Sequence, residues 1–211
     1  TDEPRFGPWL PMRPTEVMAR LSDLAAVADG AVRVLAVDGR SGGGKTTVAE
    51  RLASAIHAGA VVHTDDISWH HSFFDWTDLL IEHVLRPVGR GEVVDYRPHA
   101  WQERAREGSI SVPAPLQWLI VEGVGAARRE LVSYVAAVLW VQSDDAIARE
   151  RGIARDGGDE EATRFWDEWM AAEEPFLEDH RPWDRADLVV NGTPPAGTDG
   201  QTIVVSTAAK R

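Results

Sequence analysis

The stretch GRSGGGKTT at residues 39–47 pairs closely spaced glycines with a lysine and two threonines. It matches G-x-x-x-x-G-K-[ST] through Gly39, Gly44, Lys45 and Thr46. Backbone N–H groups can wrap an anion only where no side chain intrudes, which is why such a loop is rich in glycine. Gly39, Ser41, Gly42, Gly43, Gly44, Lys45, Thr46 and Thr47 are therefore a candidate cradle for nucleotide phosphates. Lys45 would reach the β- and γ-phosphates, and the Thr46 hydroxyl would hold Mg²⁺. A flexible glycine linker is the plainer account. It leaves unexplained the strand-like AVRVLAVDG before the loop, the helix-like run after it, and the Lys-Thr pair. A helix starting there would add unpaired N–H donors and a partial positive charge.

Carboxylates and guanidinium groups elsewhere could act on what the loop binds. VVHTDDISW (61–69) reads as a strand that ends in Asp65 and Asp66. In a doubly wound sheet the carboxyl ends of neighbouring strands line one crevice, so Asp65 is expected to face the γ-phosphate. There it could orient or deprotonate an acceptor hydroxyl, or bind Mg²⁺. Helix capping is the simpler role for Asp66. LIVEG (119–123) delivers Glu122 from an apolar run, as a Walker B strand delivers a carboxylate to a metal's water shell. RERGIARD places Arg151 and Arg155 four residues apart on one helix face, and Arg149 on another. Arg151 and Arg155 are candidates to neutralise a transferring phosphoryl group. Their alternative is ion pairing with Glu150 and the DGGDEE segment.

These groups need elements to position them. Residues 1–14, with four prolines, read as an irregular arm. Residues 15–30 read as a helix capped by Thr15 and stopped by Gly30, with Val17, Leu21, Leu24 and Ala28 at helical spacing. Strands are expected at 31–39, 61–66, 116–125, 136–143 and 186–193, with an edge strand in QTIVVS near the end. Helices are expected after the glycine loop, at 76–91, in RRELVSYV, through DDAIARERGIARDGG, and in EATRFWDEWMAAEEPFLED with a break at Pro175. Residues 92–115 read as a short strand or hairpin and a loop. Strands alternating with helices predict one three-layer α/β/α domain over 15–211 with a mainly parallel sheet, the P-loop NTPase architecture.

Composition narrows the partners. The 211 residues suffice for one sizeable core. A net charge of −12 argues against nucleic-acid binding, though a small anion needs only a locally positive pocket. The absence of cysteine excludes disulfides and thiolate metal sites. No apolar run approaches the ~20 residues of a membrane span, and TDEPRFGPWLPMRP lacks a signal peptide's regions. A cytoplasmic protein without membrane contact is expected, and a homo-oligomer is compatible with the sequence.

Together VDGRSGGGKTTVAERLA, VVHTDDISW, LIVEGV and RERGIARD resemble the uridine kinase-like branch of P-loop kinases, which also includes phosphoribulokinase-type enzymes and pantothenate kinases. The resemblance runs over about residues 31–193. It implies a nucleoside kinase-like fold, ATP and Mg²⁺ as cofactors, Asp65 beside the acceptor hydroxyl, and an R-x-x-x-R-D lid in Arg151, Arg155 and Asp156, within about 149–162. It implies transfer of a γ-phosphoryl group to a small hydroxyl compound, with a uridine- or cytidine-like nucleoside as the first expectation. Two departures concern the acceptor. Asp66-Ile67-Ser68-Trp69 stands where uridine kinases follow the aspartate with a Phe-Tyr pair, and VVDYRPHAWQE replaces the family's uridine-holding segment. Another small alcohol, such as a cofactor precursor or specialised metabolite, is the rival acceptor. A nucleotide-dependent switch is a rival of another class, although no N-K-x-D motif is present.

The acceptor segment is expected within about 66–115, with Trp69, Tyr96, Arg97, Asp65 and Glu122 as candidate contacts. Aromatic rings could stack on a base or wall a sugar, and Arg97 could hold an anion. His63, His70, His71, Phe73, Phe74, Trp76, His99 and Trp101 are expected to pack around them. Trp166 and Trp169, at i and i+3, read as core, and Asn191, Gly192 and Thr193 as a loop near an adenine.

Overall fold

The computed structural model describes residues 2–25, 31–56 and 59–206. Among the described residues lie nine strands: β1 (Trp9–Met12), β2 (Arg33–Gly39), β3 (Gly59–His63), β4 (Val94–Tyr96), β5 (Ile110–Val112), β6 (Trp118–Glu122), β7 (Ala137–Gln142), β8 (Leu188–Asn191) and β9 (Ile203–Ser206). The α-helices are α1 (Pro14–Leu24), α2 (Lys45–Ser54), α3 (Thr64–Ser68), α4 (Thr77–Leu80), α5 (Arg86–Gly89), α6 (His99–Glu103), α7 (Asp145–Arg155) and α8 (Glu160–His180). A π-helical turn, Ile81–Leu85, joins α4 to α5.

Seven strands form the main sheet in the order β1-β9-β8-β7-β2-β6-β3. The pairs β2–β6, β2–β7, β3–β6 and β7–β8 are parallel, whereas β9 runs antiparallel to β8 and β1. Strand alternation sorts the core. Leu35 and Val37 of β2, Ile120 of β6 and Leu139 of β7 pack with α1 and α2 on one face. Val34, Ala36, Leu119, Val121 and Trp140 pack on the other face with Trp76, Trp101 and Leu177. This is a three-layer α/β/α fold. Because β2 lies between β6 and β7, the chain winds outward on both sides of it, and the crevice at its carboxyl end is the place for a ligand.

Several local expectations are corrected. The arm is not irregular throughout, because Trp9–Met12 pairs with β9, which is therefore internal and leaves β1 at the edge. Helix α1 starts at Pro14 after Arg13, whose backbone N–H (2.8 Å) and guanidinium (2.9 Å) both donate to the Glu16 carboxylate, so Thr15 is inside the helix. Ala28 and Gly30 lie outside the described residues. RRELVSYV contains only a short 3-10 turn, Arg129–Leu131. Pro175 does not break α8. It and Ala171, whose carbonyl loses its helical partner, are both exposed, so water can take that bond. Helices α7 and α8 begin as their sequence directs: Asp144 accepts from Ile147 N–H at 3.0 Å and Asp159 from Ala162 N–H at 2.8 Å.

Candidate functional site

The glycine loop joins β2 to α2 at the carboxyl edge of the sheet. Gly44 precedes α2 with φ 90°, a left-handed conformation suited to glycine, and no side chain caps the helix. The first-turn N–H groups thus remain available to an anion. At Gly42, with φ 70°, a Cβ would lie 2.1 Å from the carbonyl oxygen of Ala148, so α7 packs directly on the loop. Lys45 is buried and its Nζ donates to the Arg40 carbonyl at 2.9 Å, bending the side chain back over the loop. Thr46 and Thr47 are exposed.

Beneath the loop Asp38 is fully buried. Its carboxylate accepts from the N–H groups of Gly39 (2.7 Å), Gly125 (3.0 Å) and Ala127 (2.9 Å), tying the end of β2 to the segment after β6. Burial pushes its pKa up to about 6, against those three donors and Lys45, so it is charged at neutral pH. Arg40, also buried, ion-pairs with Glu3 at 3.3 Å and with Asp145 of α7 at 3.1 Å. Glu3 also accepts from Trp140 Nε1 at 2.7 Å and Gln142 Nε2 at 2.9 Å. The N-terminal arm therefore grips the loop.

Parallel register sets the carboxylates. His63 and Glu122 are paired residues at the ends of β3 and β6, and His63 Nδ1 lies 2.7 Å from Glu122 Oε2. Burial raises the Glu122 pKa, but the His63 hydrogen bond, Lys45 and the Thr46 hydroxyl more than offset it and leave it below the ordinary glutamate value. The same hydrogen bond raises the pKa of His63. Asp65 is not on the strand, because β3 ends at His63 and Thr64 opens α3. It sits in the first turn of that helix and opens to the crevice while protein atoms crowd its other sides. That crowding raises its pKa, opposed by Lys45 and reinforced by Glu122. Asp66 does not cap the helix; it pairs with Arg106 at 2.5 Å.

Beside these groups lies a cavity of about 440 Å³. Ser41, Asp65 and Arg155 contribute polar lining, and Trp69, Phe73, Phe165, Trp166 and Trp169 contribute rings. His70 and His71 also line it, so these histidines and Phe73 do more than pack locally, and the WDEW tryptophans are cavity wall as well as core. Trp69 is braced from behind by Arg106, whose guanidinium lies 5.1 Å from its ring and 3.6 Å from that of Trp101. Arg155 is held by Asp156 at 2.8 Å, and Asp156 also accepts from Trp166 Nε1 at 2.9 Å.

Other expected site residues fall elsewhere. Tyr96 and Arg97 do not line the cavity: Tyr96 stacks on His83 with centroids 4.2 Å apart, and Arg97 donates to the Arg106 carbonyl at 2.7 Å. Tyr96 belongs instead to β4, paired antiparallel with β5, and Arg97 follows it. Arg151 donates to the Gly192 carbonyl at 3.1 Å, on the loop side and outside the cavity lining. Arg149 pairs with Asp167 of α8 at 2.7 Å. Gly192 packs against Gly43, close enough that a Cβ would meet the Gly43 oxygen at 1.8 Å.

A phosphate loop between β2 and α2 of a three-layer α/β/α sheet is a P-loop architecture, and solved structures share the fold. A candidate uridine kinase from Bacillus stearothermophilus is 21% identical, with 82% of this chain and 98% of that chain covered and a TM-score of 0.54. A candidate fructose transport system kinase from Silicibacter sp. TM1040 is 16% identical, with 80% and 95% covered and a TM-score of 0.60. The chain has a uridine kinase-like P-loop kinase fold. In sequence, no protein-family model and no curated protein matches it. Among the described residues no helix is long and apolar enough to cross a membrane.

Proposed function

We propose that the protein is an ATP-dependent small-molecule kinase whose acceptor is a hydroxyl compound, a nucleoside of uridine or cytidine type. The observation that carries this reading is the shared cavity wall. A phosphate-loop residue (Ser41), a carboxylate (Asp65) and a guanidinium (Arg155) meet there beside a ring-lined space of about 440 Å³. Such a space suits an acceptor with a planar or apolar body, since Trp69, Phe73, Phe165, Trp166 and Trp169 make up much of its lining.

The residues fit both cofactors. A loop whose glycines have no room for a Cβ, followed by an uncapped helix N-terminus, is suited to phosphates, and Lys45 would bind them from within it. Thr46, Asp65 and Glu122 would hold Mg²⁺, which retains several waters and needs few protein ligands. Bound Mg·ATP supplies the phosphoryl group and a divalent counter-charge. Asp65 would orient the acceptor hydroxyl and take its proton as that oxygen bonds to the γ-phosphorus and the bond from phosphorus to the β–γ bridging oxygen breaks, with ADP leaving. Arg155 offsets charge from the cavity side and Arg151 from the Gly192 side. The rings of α8 exclude water that would compete as acceptor.

A second acceptor class, another small alcohol, is favoured by one observation. The segment carrying Tyr96 and Arg97, on which part of the nucleoside expectation rested, does not line the cavity. Incubation with γ-labelled ATP and a panel of nucleosides, sugars and pantothenate-like alcohols decides between them. Label in a nucleoside is the expected result, and label in another alcohol retains the kinase and replaces the acceptor. Label only in free phosphate, at a rate no acceptor changes, refutes the kinase and favours a nucleotide-dependent switch.

A further inference from the structure

Glu173 lies in α8, is fully buried, and accepts a hydrogen bond from the backbone N–H of Ser41 at 2.7 Å through Oε1. Its Oε2 is buried and has no hydrogen-bond partner among the described residues. A buried carboxylate with one oxygen unmatched is costly, and an apolar side chain there would avoid that cost. It also sits beside a loop shaped for anions. Neither packing nor phosphate attraction explains it.

The helix geometry does. Trp166, Trp169 and Glu173 recur at i, i+3 and i+7, a single stripe of α8. The two tryptophans wall the cavity, while Glu173 fastens the same stripe to the phosphate loop at Ser41, itself a cavity residue. We propose that Glu173 is a positioning residue that sets the phosphate loop against the acceptor wall, so that nucleotide binding depends on its bond to Ser41. The proposal rests on the nucleotide-binding reading above. With that bond the loop keeps the shape in which its other N–H groups converge on phosphate. Without it, Ser41 is free to turn.

Calorimetric titration of the full chain with Mg·ADP tests this, because it needs no acceptor. Glu173→Gln keeps an oxygen for the Ser41 N–H and removes a negative charge, so it should bind as tightly as wild type or more tightly. Glu173→Ala removes the acceptor and should weaken binding about tenfold, the scale of one hydrogen bond to a charged group. Leu177→Ala, one turn further along α8 and fully buried, is the control for mere destabilisation: it should lower the melting temperature and leave ADP affinity unchanged. The proposal is overturned if Glu173→Ala binds as well as wild type, if Glu173→Gln weakens binding as far as Glu173→Ala, or if Leu177→Ala weakens it equally. Should Glu173→Ala fail to fold, Glu173→Leu, which fills the space but offers no acceptor to the Ser41 N–H, takes its place and should weaken Mg·ADP binding by the same factor; wild-type affinity in it overturns the proposal. Wild-type protein that ignores Mg·ADP would refute the nucleotide reading itself, a distinguishable result.

Discussion

Replacing Gly152 by alanine should reveal how α7 and α8 lock together. Gly152 lies inside α7, where a Cβ would fall 1.7 Å from Cζ2 and 2.2 Å from Cη2 of Trp166. Both are atoms of the six-membered ring, and Trp166 is only 1% exposed and held by its Nε1 bond to Asp156 at 2.9 Å, so relief requires shifting the ring toward the cavity it walls. Alanine is intrinsically better than glycine in a helix by about 1 kcal/mol. Overpacking of a tight core costs about 1–3 kcal/mol, so the net effect should be destabilisation of up to about 2 kcal/mol. In a Trp166→Leu background the clashing ring is gone, and the same substitution should stabilise by nearly the full propensity term. The coupling between the two sites is then the overpacking term itself, about 1–3 kcal/mol. Urea unfolding of the four proteins measures it. If Gly152→Ala costs the same in both backgrounds, or stabilises wild type, the packing of Trp166 on α7 is not as described.

Other expectations follow from the same contacts. Asp65→Asn should lower phosphoryl transfer at saturating Mg·ATP by about 10²–10⁴-fold, the usual contribution of a positioned acid or base; a loss that saturation restores would leave Asp65 a metal ligand only. Asp38 has a folded-state pKa of about 6, above the ~3.9 of an unfolded aspartate, so the native state binds the extra proton. Its contribution to stability is present below about pH 4 and is lost as pH rises to about 6; Asp38→Asn should remove that slope from the difference between pH-dependent unfolding curves. Glu3→Gln leaves buried Arg40 with its pairing to Asp145 but weakens its bond to the arm. Loss of one partner from a buried pair costs about 3–5 kcal/mol, and Asp145 should hold the effect at or below the low end, visible as a melting point lower by several degrees.

What could be read from the sequence was what is local in it. The phosphate loop is nine consecutive residues whose glycines and Lys-Thr pair carry their own chemistry, and the structure puts them between β2 and α2. Parallel strands announced themselves as apolar runs, and Asp65 and Glu122 stand at or just after strand ends in neighbouring register. Long-range choices were not legible. Asp38 looks like one more residue of a buried strand until Gly125 and Ala127 are brought to it. Nothing in a tryptophan pair at helical spacing distinguishes core from cavity wall, and Trp166 is both. Tyr96 and Arg97 had plausible chemistry, but the β4–β5 hairpin carries them elsewhere. Strand β1 was hidden by its prolines and by a partner, β9, at the other end of the chain.

The central claim is that the cavity lined by Asp65, Arg155 and the α8 tryptophans receives the acceptor. Measuring ADP release with and without each panel compound, for wild type and Asp65→Asn, tests it most directly. The account predicts that at least one small hydroxyl compound raises wild-type turnover well above the acceptor-free rate and that the variant shows no such rise. Equal turnover with and without every compound, unchanged by Asp65→Asn, would contradict it.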